Sequence, residues 1–377
     1  MNSLLKLIDC GQSYWMDNLT REKINSGELK RRVTQEGLRG VTTNPSIFNR
    51  AISKSNDYDK EIIKLFNKKK QVQEVYEELA VKDVQNACDV LRPVFDESAG
   101  IDGFVSLEVS PLLACDTERT MIEARRLHEK INRKNCFIKI PATNEGIFAI
   151  EEMLYEGINI NVTLIFSIKK YISVAEAYIK ALERRIAEGK SIKEIRSVAS
   201  FFLSRIDVLV DRLLSRLQVK EDAKNKLPNP GELYGKAAIA NAKLAYMEFG
   251  KIFGSERWNV LLKHGAYVQR PLWASTGTKN KNDSDIKYVS PLIGNFTVNT
   301  LPDETIAAFA DHGLIIKDSI RENLEDAVQT MNNLKISGID MNSATQQLLN
   351  EGIIKFQADY CDLLNNISKK RDNILSA

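Results

Sequence analysis

A lysine stands alone among apolar neighbours in Cys136-Phe-Ile-Lys-Ile-Pro-Ala-Thr143, a run with the length and bounding proline of a buried strand. Burial disfavours an ammonium and so favours the neutral amine. A neutral amine near pH 7 is what Schiff-base chemistry with a carbonyl compound requires, which makes Lys139 a candidate nucleophile. The competing reading is structural. In a chain with 53 Lys and Arg residues, a lysine at a strand end ordinarily carries its head group to water and does nothing chemical. The surroundings of Lys139 decide between the two.

Polar side chains recur at the C-terminal ends of other short apolar runs. Asp17 ends the first, Asn44 follows the second in Val41-Thr-Thr-Asn-Pro-Ser46, and Glu108 lies in Val105-Ser-Leu-Glu-Val109. Asn161 and Thr163 lie in Asn159–Ser167, and Ser200, Phe202 and Arg205 in Ala199-Ser-Phe-Phe-Leu-Ser-Arg205. Strand interiors of a parallel barrel are filled by apolar side chains, so polar residues at strand ends invite a functional reading. Taken singly, each has a mundane alternative. Asn44 could shape the turn before Pro45, Asp17 could cap a helix, and Thr163 is an ordinary strand former. Glu108 is harder to set aside, because a carboxylate among Val and Leu in a buried strand must be paired, protonated or used.

These runs alternate with helical segments, the pattern of βα units and a parallel sheet. The expected strands are Ser13–Asp17, Gly40–Thr43, Gly103–Val109, Phe137–Ile140, Asn159–Ile165, Val198–Phe202, Leu272–Ser275 and Phe296–Asn299. A length of 377 residues allows two average domains or one large barrel with additions, and eight units point to the barrel. Expected helices include Glu118–Asn132 behind Asp116 and Thr117, and Glu145–Tyr155 before Gly157. Two further helices should pack on the outside of the barrel. One is Glu232–Phe253 after the Pro228-Asn-Pro230 breaker; the other carries Ile353, Phe356, Tyr360, Leu363 and Ile367 at helical spacing. The polar stretch Thr276–Asp285 reads as a loop on the C-terminal face.

Basic and acidic residues nearly cancel, 53 against 50, and both signs are scattered, which speaks against a nucleic-acid partner. No stretch approaches the roughly 18 apolar residues of a membrane span, and the N-terminal residues lack a signal-peptide core, so no membrane association is expected. Cys10, Cys88, Cys115, Cys136 and Cys361 are odd in number and widely spaced, with no disulfide or zinc rhythm, as suits a reducing cytoplasm. His128, His264 and His312 lie far apart, so no histidine-rich metal site is expected. An outer helical layer is compatible with either a monomer or a homodimer.

Gly40-Val-Thr-Thr-Asn-Pro-Ser-Ile-Phe48 and Phe137-Ile-Lys-Ile-Pro-Ala-Thr-Asn-Glu-Gly-Ile147 resemble two signature segments of the transaldolases. Asn159–Ser167 and Ser197–Arg205 match further blocks of that family in the right order, so the resemblance covers nearly the whole chain. Trp273–Asn280 and Tyr288–Pro302 are similar to the longer bacterial subgroup, in which a helical C-terminal extension is expected. The resemblance implies a (β/α)8 barrel over residues 1–377, with a helical insertion near 206–262 and a C-terminal helical extension near 319–377. It also implies sugar phosphate substrates, Schiff-base chemistry without metal or organic cofactor, and a place in cytoplasmic pentose phosphate metabolism.

Carried onto this sequence, the resemblance makes Lys139 the Schiff-base lysine and Glu108 the acid/base acting through a water positioned by Thr163. Asp17 becomes the base for the C4 hydroxyl, and Asn44 and Asn161 hold the hydroxyls of the dihydroxyacetone unit. Ser200 and Phe202 line the site, and Arg205 binds the phosphate. One departure stands out. Shorter relatives carry a second phosphate-binding arginine soon after a serine on the seventh strand, whereas here Ser275 is followed by Thr276-Gly-Thr-Lys279. Lys279 could serve instead as a point charge, or be a solvated loop lysine. Two rival functions remain: a fructose 6-phosphate aldolase, which releases free dihydroxyacetone, and a non-catalytic sugar-phosphate-binding barrel. Chain length and the Glu108 and Asn161 blocks favour the transferase over the first, and the intact lysine, carboxylates and asparagines argue against the second.

Overall fold

Eight short strands hydrogen-bond in chain order, all parallel, and the last pairs with the first to close a barrel. They are β1 Gln12–Met16, β2 Gly40–Thr42, β3 Phe104–Glu108, β4 Cys136–Pro141, β5 Ile160–Ile165, β6 Ser197–Phe202, β7 Arg270–Ala274 and β8 Thr297–Leu301. The structure, a computed structural model, describes residues 2–218 and 230–376. The expected (β/α)8 architecture is therefore the observed one, with α-helices between successive strands except between β7 and β8, where the chain makes only a 3-10 turn at Ser290–Leu292.

Strand ends differ from expectation where the backbone turns left-handed. Ser275 has φ 56° and Phe296 φ 57°. Neither conformation continues a pleated strand, so β7 stops at Ala274 and β8 starts only at Thr297. Leu164, at φ 59°, sits where the pairing of β5 with β6 shifts between Val162 and Ile165. Such a bulge re-aims a side chain.

Helix starts follow capping chemistry. Asp116 accepts from Arg119 N at 2.9 Å to open Thr117–Ile131. Thr143 accepts from Gly146 N at 2.8 Å to open Asn144–Glu156, which ends at Gly157 with φ 107°. The helix expected from Glu232 begins instead at Ala237, because the chain first makes a 3-10 turn at Pro230–Glu232 and a left-handed step at Gly235. Pro228 and Asn229 of the expected breaker lie outside the described residues.

Alternation along a strand puts Phe104, Ser106 and Glu108 on one face of β3, and Phe137 and Lys139 on one face of β4. Trp15, Phe104 and Phe137 form a stack inside the barrel, with centroids 6.1 Å apart for Trp15 and Phe137 and 4.1 Å for Phe104 and Phe137. The stack is an apolar floor beneath Lys139. Gly40 makes room for it, since a Cβ there would collide with the Trp15 indole.

The C-terminal helix, Met341–Ser376, departs most from expectation. It does not pack on the outside of the barrel. It lies across the mouth formed by the strand C-terminal ends, burying Leu348, Leu349, Gly352, Phe356, Tyr360 and Leu363. Gln357 Nε2 donates to Pro111 O at 3.2 Å, just beyond β3. Asn366 Nδ2 donates to Asn49 Oδ1 at 2.9 Å and Lys370 Nζ to Ser55 O at 2.7 Å, on and just after the helix Pro45–Lys54 that follows β2. An apolar stripe shows that a helix must be covered; it does not say by which surface. Among the described residues no helix is long and apolar enough to cross a membrane.

Replacing Gly40 by Val should force the Trp15 ring off its stack and lower stability by about 1–3 kcal/mol, measured by chemical denaturation.

Candidate active site

Directly above the aromatic floor, Lys139 and Glu108 are paired across adjacent strands. Lys139 Nζ lies 3.3 Å from Glu108 Oε2, and each side chain is only 6% exposed. Nζ also donates to Thr43 O at 3.2 Å, at the end of β2. The lysine head group therefore stays inside the barrel rather than reaching bulk water. Burial pushes the Glu108 carboxyl above its ordinary range, against the pull of Lys139 and the more distant Arg205.

On the other side of Lys139 the ladder partner is Asn161. Its Oδ1 accepts from Ser200 Oγ at 2.7 Å and its Nδ2 donates to Ser106 Oγ at 3.0 Å, which fixes the amide plane between β3 and β6. Thr163, one alternation further along β5, is fully buried, and its hydroxyl has no hydrogen-bond partner among the described residues. Phe202 packs on Phe166 with centroids 5.3 Å apart. The Arg205 guanidinium lies 5.4 Å from the Phe202 ring centroid and 5.8 Å from that of Phe356. Burial lowers its pKa, opposed by Asp359, Glu108 and Glu351. An arginine so desolvated remains a cation and is poorly hydrated, a state in which an oxyanion is bound strongly.

The opposite rim carries Asp17 and Asn44. With Asn18, Arg50, Asp303 and Glu304 they border a small polar cavity of about 220 Å³. Asp17 is pushed up from 3.8 to about 6, first by burial and then by Glu304 and Asp303, with Arg50 and Lys279 pulling the other way. The helix cap considered for Asp17 falls instead to Asn44, whose Oδ1 accepts from Ile47 N at 3.0 Å and opens the helix Pro45–Lys54. That bond uses the carbonyl oxygen and leaves the amide donors free for other work.

Ser275 is engaged with Ser204, their hydroxyls 2.9 Å apart, and so ties the end of β7 to the start of the helix that carries Arg205. Lys279 is exposed on the following loop, within electrostatic reach of Asp17. The structure thus gathers Lys139, Glu108, Asn161, Thr163, Ser200, Phe202 and Arg205 on one side of the mouth, with Asp17, Asn44 and Lys279 along the other. Sequence reasoning missed Arg50, Ser106 and Phe356. Phe356 was noted only as one member of an apolar stripe; its ring centroid is 5.7 Å from Lys139 Nζ.

Residues 14–367 match the family described as Transaldolase/Fructose-6-phosphate aldolase. The chain belongs to this family. Among its relatives, a protein named Transaldolase in Trichodesmium erythraeum (strain IMS101) is 48% identical over 374 residues, covering 98% of this chain and 97% of that one. Transaldolase 2 of Nostoc sp. (strain PCC 7120 / SAG 25.82 / UTEX 2576) is 46% identical over 373 residues, 98% of each chain. Transaldolase of Mycobacterium bovis (strain BCG / Pasteur 1173P2) is 43% identical over 363 residues, covering 96% and 95%. Within a transaldolase-family barrel, the buried lysine and carboxyl at the strand ends occupy the face on which barrel enzymes build their active sites.

The raised Asp17 carboxyl has a measurable thermodynamic side. The unfolded chain releases this proton near 3.8 and the folded chain only near 6, so stability held below pH 3.8 is lost as pH rises through about 6. Asp17→Asn should therefore raise Tm at about pH 8, on the order of 2 °C, and have no effect below about pH 4, by calorimetry across that range.

Proposed function

We propose that this protein is a transaldolase that moves a dihydroxyacetone unit from sedoheptulose 7-phosphate to glyceraldehyde 3-phosphate, giving erythrose 4-phosphate and fructose 6-phosphate. The observation that carries this reading is the 3.3 Å contact between Lys139 Nζ and Glu108 inside a closed barrel. An amine beside a proton-accepting carboxyl, both out of water, is what carbinolamine and imine formation needs.

In this mechanism the Lys139 amine attacks the C2 carbonyl of the donor and water leaves, forming an iminium. Asp17 takes the proton from the C4 hydroxyl, the C3–C4 bond breaks, and its electrons pass into the iminium to give an enamine and the free aldose phosphate. The enamine then attacks the aldehyde carbon of the acceptor, and water adds to the new iminium to release the product ketose. The iminium is the electron sink, so the sequence calls on no metal or organic cofactor. A carboxyl near 6, like that of Asp17, is ionised at neutral pH yet basic enough to accept a hydroxyl proton. The raised Glu108 carboxyl suits a group that must both give and take protons. The buried, unpartnered Thr163 hydroxyl fits a site for the water used in imine formation and hydrolysis. Asn44 and Asn161 offer amides to the substrate hydroxyls, and Ser200 fixes the second of these. Arg205 takes the phosphate with its desolvated fork, and Lys279 assists as a point charge. Five free cysteines fit a cytoplasmic setting.

Incubation with fructose 6-phosphate and borohydride should leave a reduced three-carbon adduct on Lys139, located by peptide mapping. Lys139→Ala should abolish both adduct and turnover, and normal turnover in that variant would overturn the mechanism. Arg205→Ala should raise KM for phosphorylated ketoses about 10- to 100-fold, the loss expected for charge-assisted hydrogen bonds, in steady-state kinetics. Dependence of fructose 6-phosphate cleavage on an added aldose phosphate separates the transferase from an aldolase.

A further inference from the structure

The three-carbon enamine proposed above has two fates. In transfer, its C3 carbon forms a bond to the aldehyde carbon of the acceptor, and the aldehyde oxygen takes a proton. In release, C3 takes a proton instead, water adds to C2 of the resulting iminium, the C–N bond breaks, and dihydroxyacetone leaves as the Lys139 amine is restored. Hydrolysis of an iminium is common to both routes. The branch point is therefore the access of a proton donor to C3.

Lys139, besides Glu108 and the Thr43 carbonyl, is met by a residue from outside the barrel. Phe356, on the C-terminal helix, holds its ring centroid 5.7 Å from Lys139 Nζ and 5.8 Å from the Arg205 guanidinium, and is 5% exposed. A carbon chain bonded to Nζ and reaching toward Arg205 lies within van der Waals distance of this ring, about 3.5–4.0 Å between carbons. The ring carries no donor, and at that contact no water fits between it and the chain. Its place is fixed from both sides. Gly352, one turn earlier, lets the helix close on Leu164, where a Cβ would come within 3.0 Å of the Leu164 side chain. One turn later, Tyr360 packs edge-on against Tyr76 with centroids 5.6 Å apart.

We propose that Phe356 is a specificity-determining residue: it roofs the enamine carbon against proton donors, so that the carbon waits for an aldehyde and the enzyme transfers rather than releases its three-carbon unit. This rests on the Schiff-base reading of Lys139.

The test compares two rates in the full-length protein: dihydroxyacetone formed from fructose 6-phosphate without acceptor, and transfer with erythrose 4-phosphate as acceptor. Phe356→Ala opens space for water at C3 and should raise the ratio of release to transfer about tenfold or more. Phe356→Leu keeps an apolar roof and should leave the ratio within about threefold of the parent. Circular dichroism checks folding of each variant, and Phe356→Val takes the place of the alanine variant if that one does not fold. Borohydride trapping on Lys139 is run in parallel. A trapped adduct with an unchanged ratio in the truncated variant would overturn the role of Phe356 alone. Absence of an adduct in the parent protein would overturn the Schiff-base reading beneath it.

Discussion

The buried contact between Lys139 and Glu108 sets requirements that the rest of the barrel has to meet. Removing an ammonium and a carboxylate from water costs several kcal/mol for each, and their mutual attraction compensates only if the geometry is held and other polar atoms are supplied. The ladder between β3 and β4 holds the geometry, because Glu108 and Lys139 are register partners on rigid strands. The Thr43 carbonyl supplies a second acceptor for the amine. Below, Trp15, Phe104 and Phe137 stack against one another and give the pair an apolar underside. A residual tension remains. The Glu108 carboxyl is still pushed toward its protonated form by burial, against the pull of Lys139 and Arg205.

The two carboxyls of the site reach similar behaviour by different means. Glu108 is raised by burial and restrained by cations, whereas Asp17 is raised by burial and then further by two neighbouring acids, Glu304 and Asp303. The first is tied to the amine and the second faces a small polar cavity away from it. That separation suits chemistry in which imine proton transfers and C–C cleavage are distinct steps.

Most of the barrel was legible in the sequence because buried strands of a parallel sheet read as short apolar runs, and polar residues at their ends stand out against that background. Glu108, Lys139 and Asn161 were visible for this reason. Strand ends at Ser275 and Phe296 were not, since a left-handed φ in a non-glycine residue leaves no mark in composition. Asn44 had two readings, and the structure shows its carbonyl oxygen capping the helix while its amide nitrogen remains available. Phe356 was hidden by the periodicity that revealed its helix. A stripe of apolar residues is the same whether it covers the flank of a barrel or its mouth. The mid-helix Gly352 was the one local sign that something approaches closely there.

The helix over the mouth is built from chain that follows all eight strands, and its bond from Asn366 to Asn49 spans 317 positions. A nascent chain emerging from the ribosome can close its barrel before that helix exists, since domains assemble from the N-terminal side as they are made. Until the helix docks, Lys139 lacks the cover that Phe356 gives it. The order of synthesis therefore fixes the order of exposure: the buried lysine and carboxyl are assembled first and their cover last.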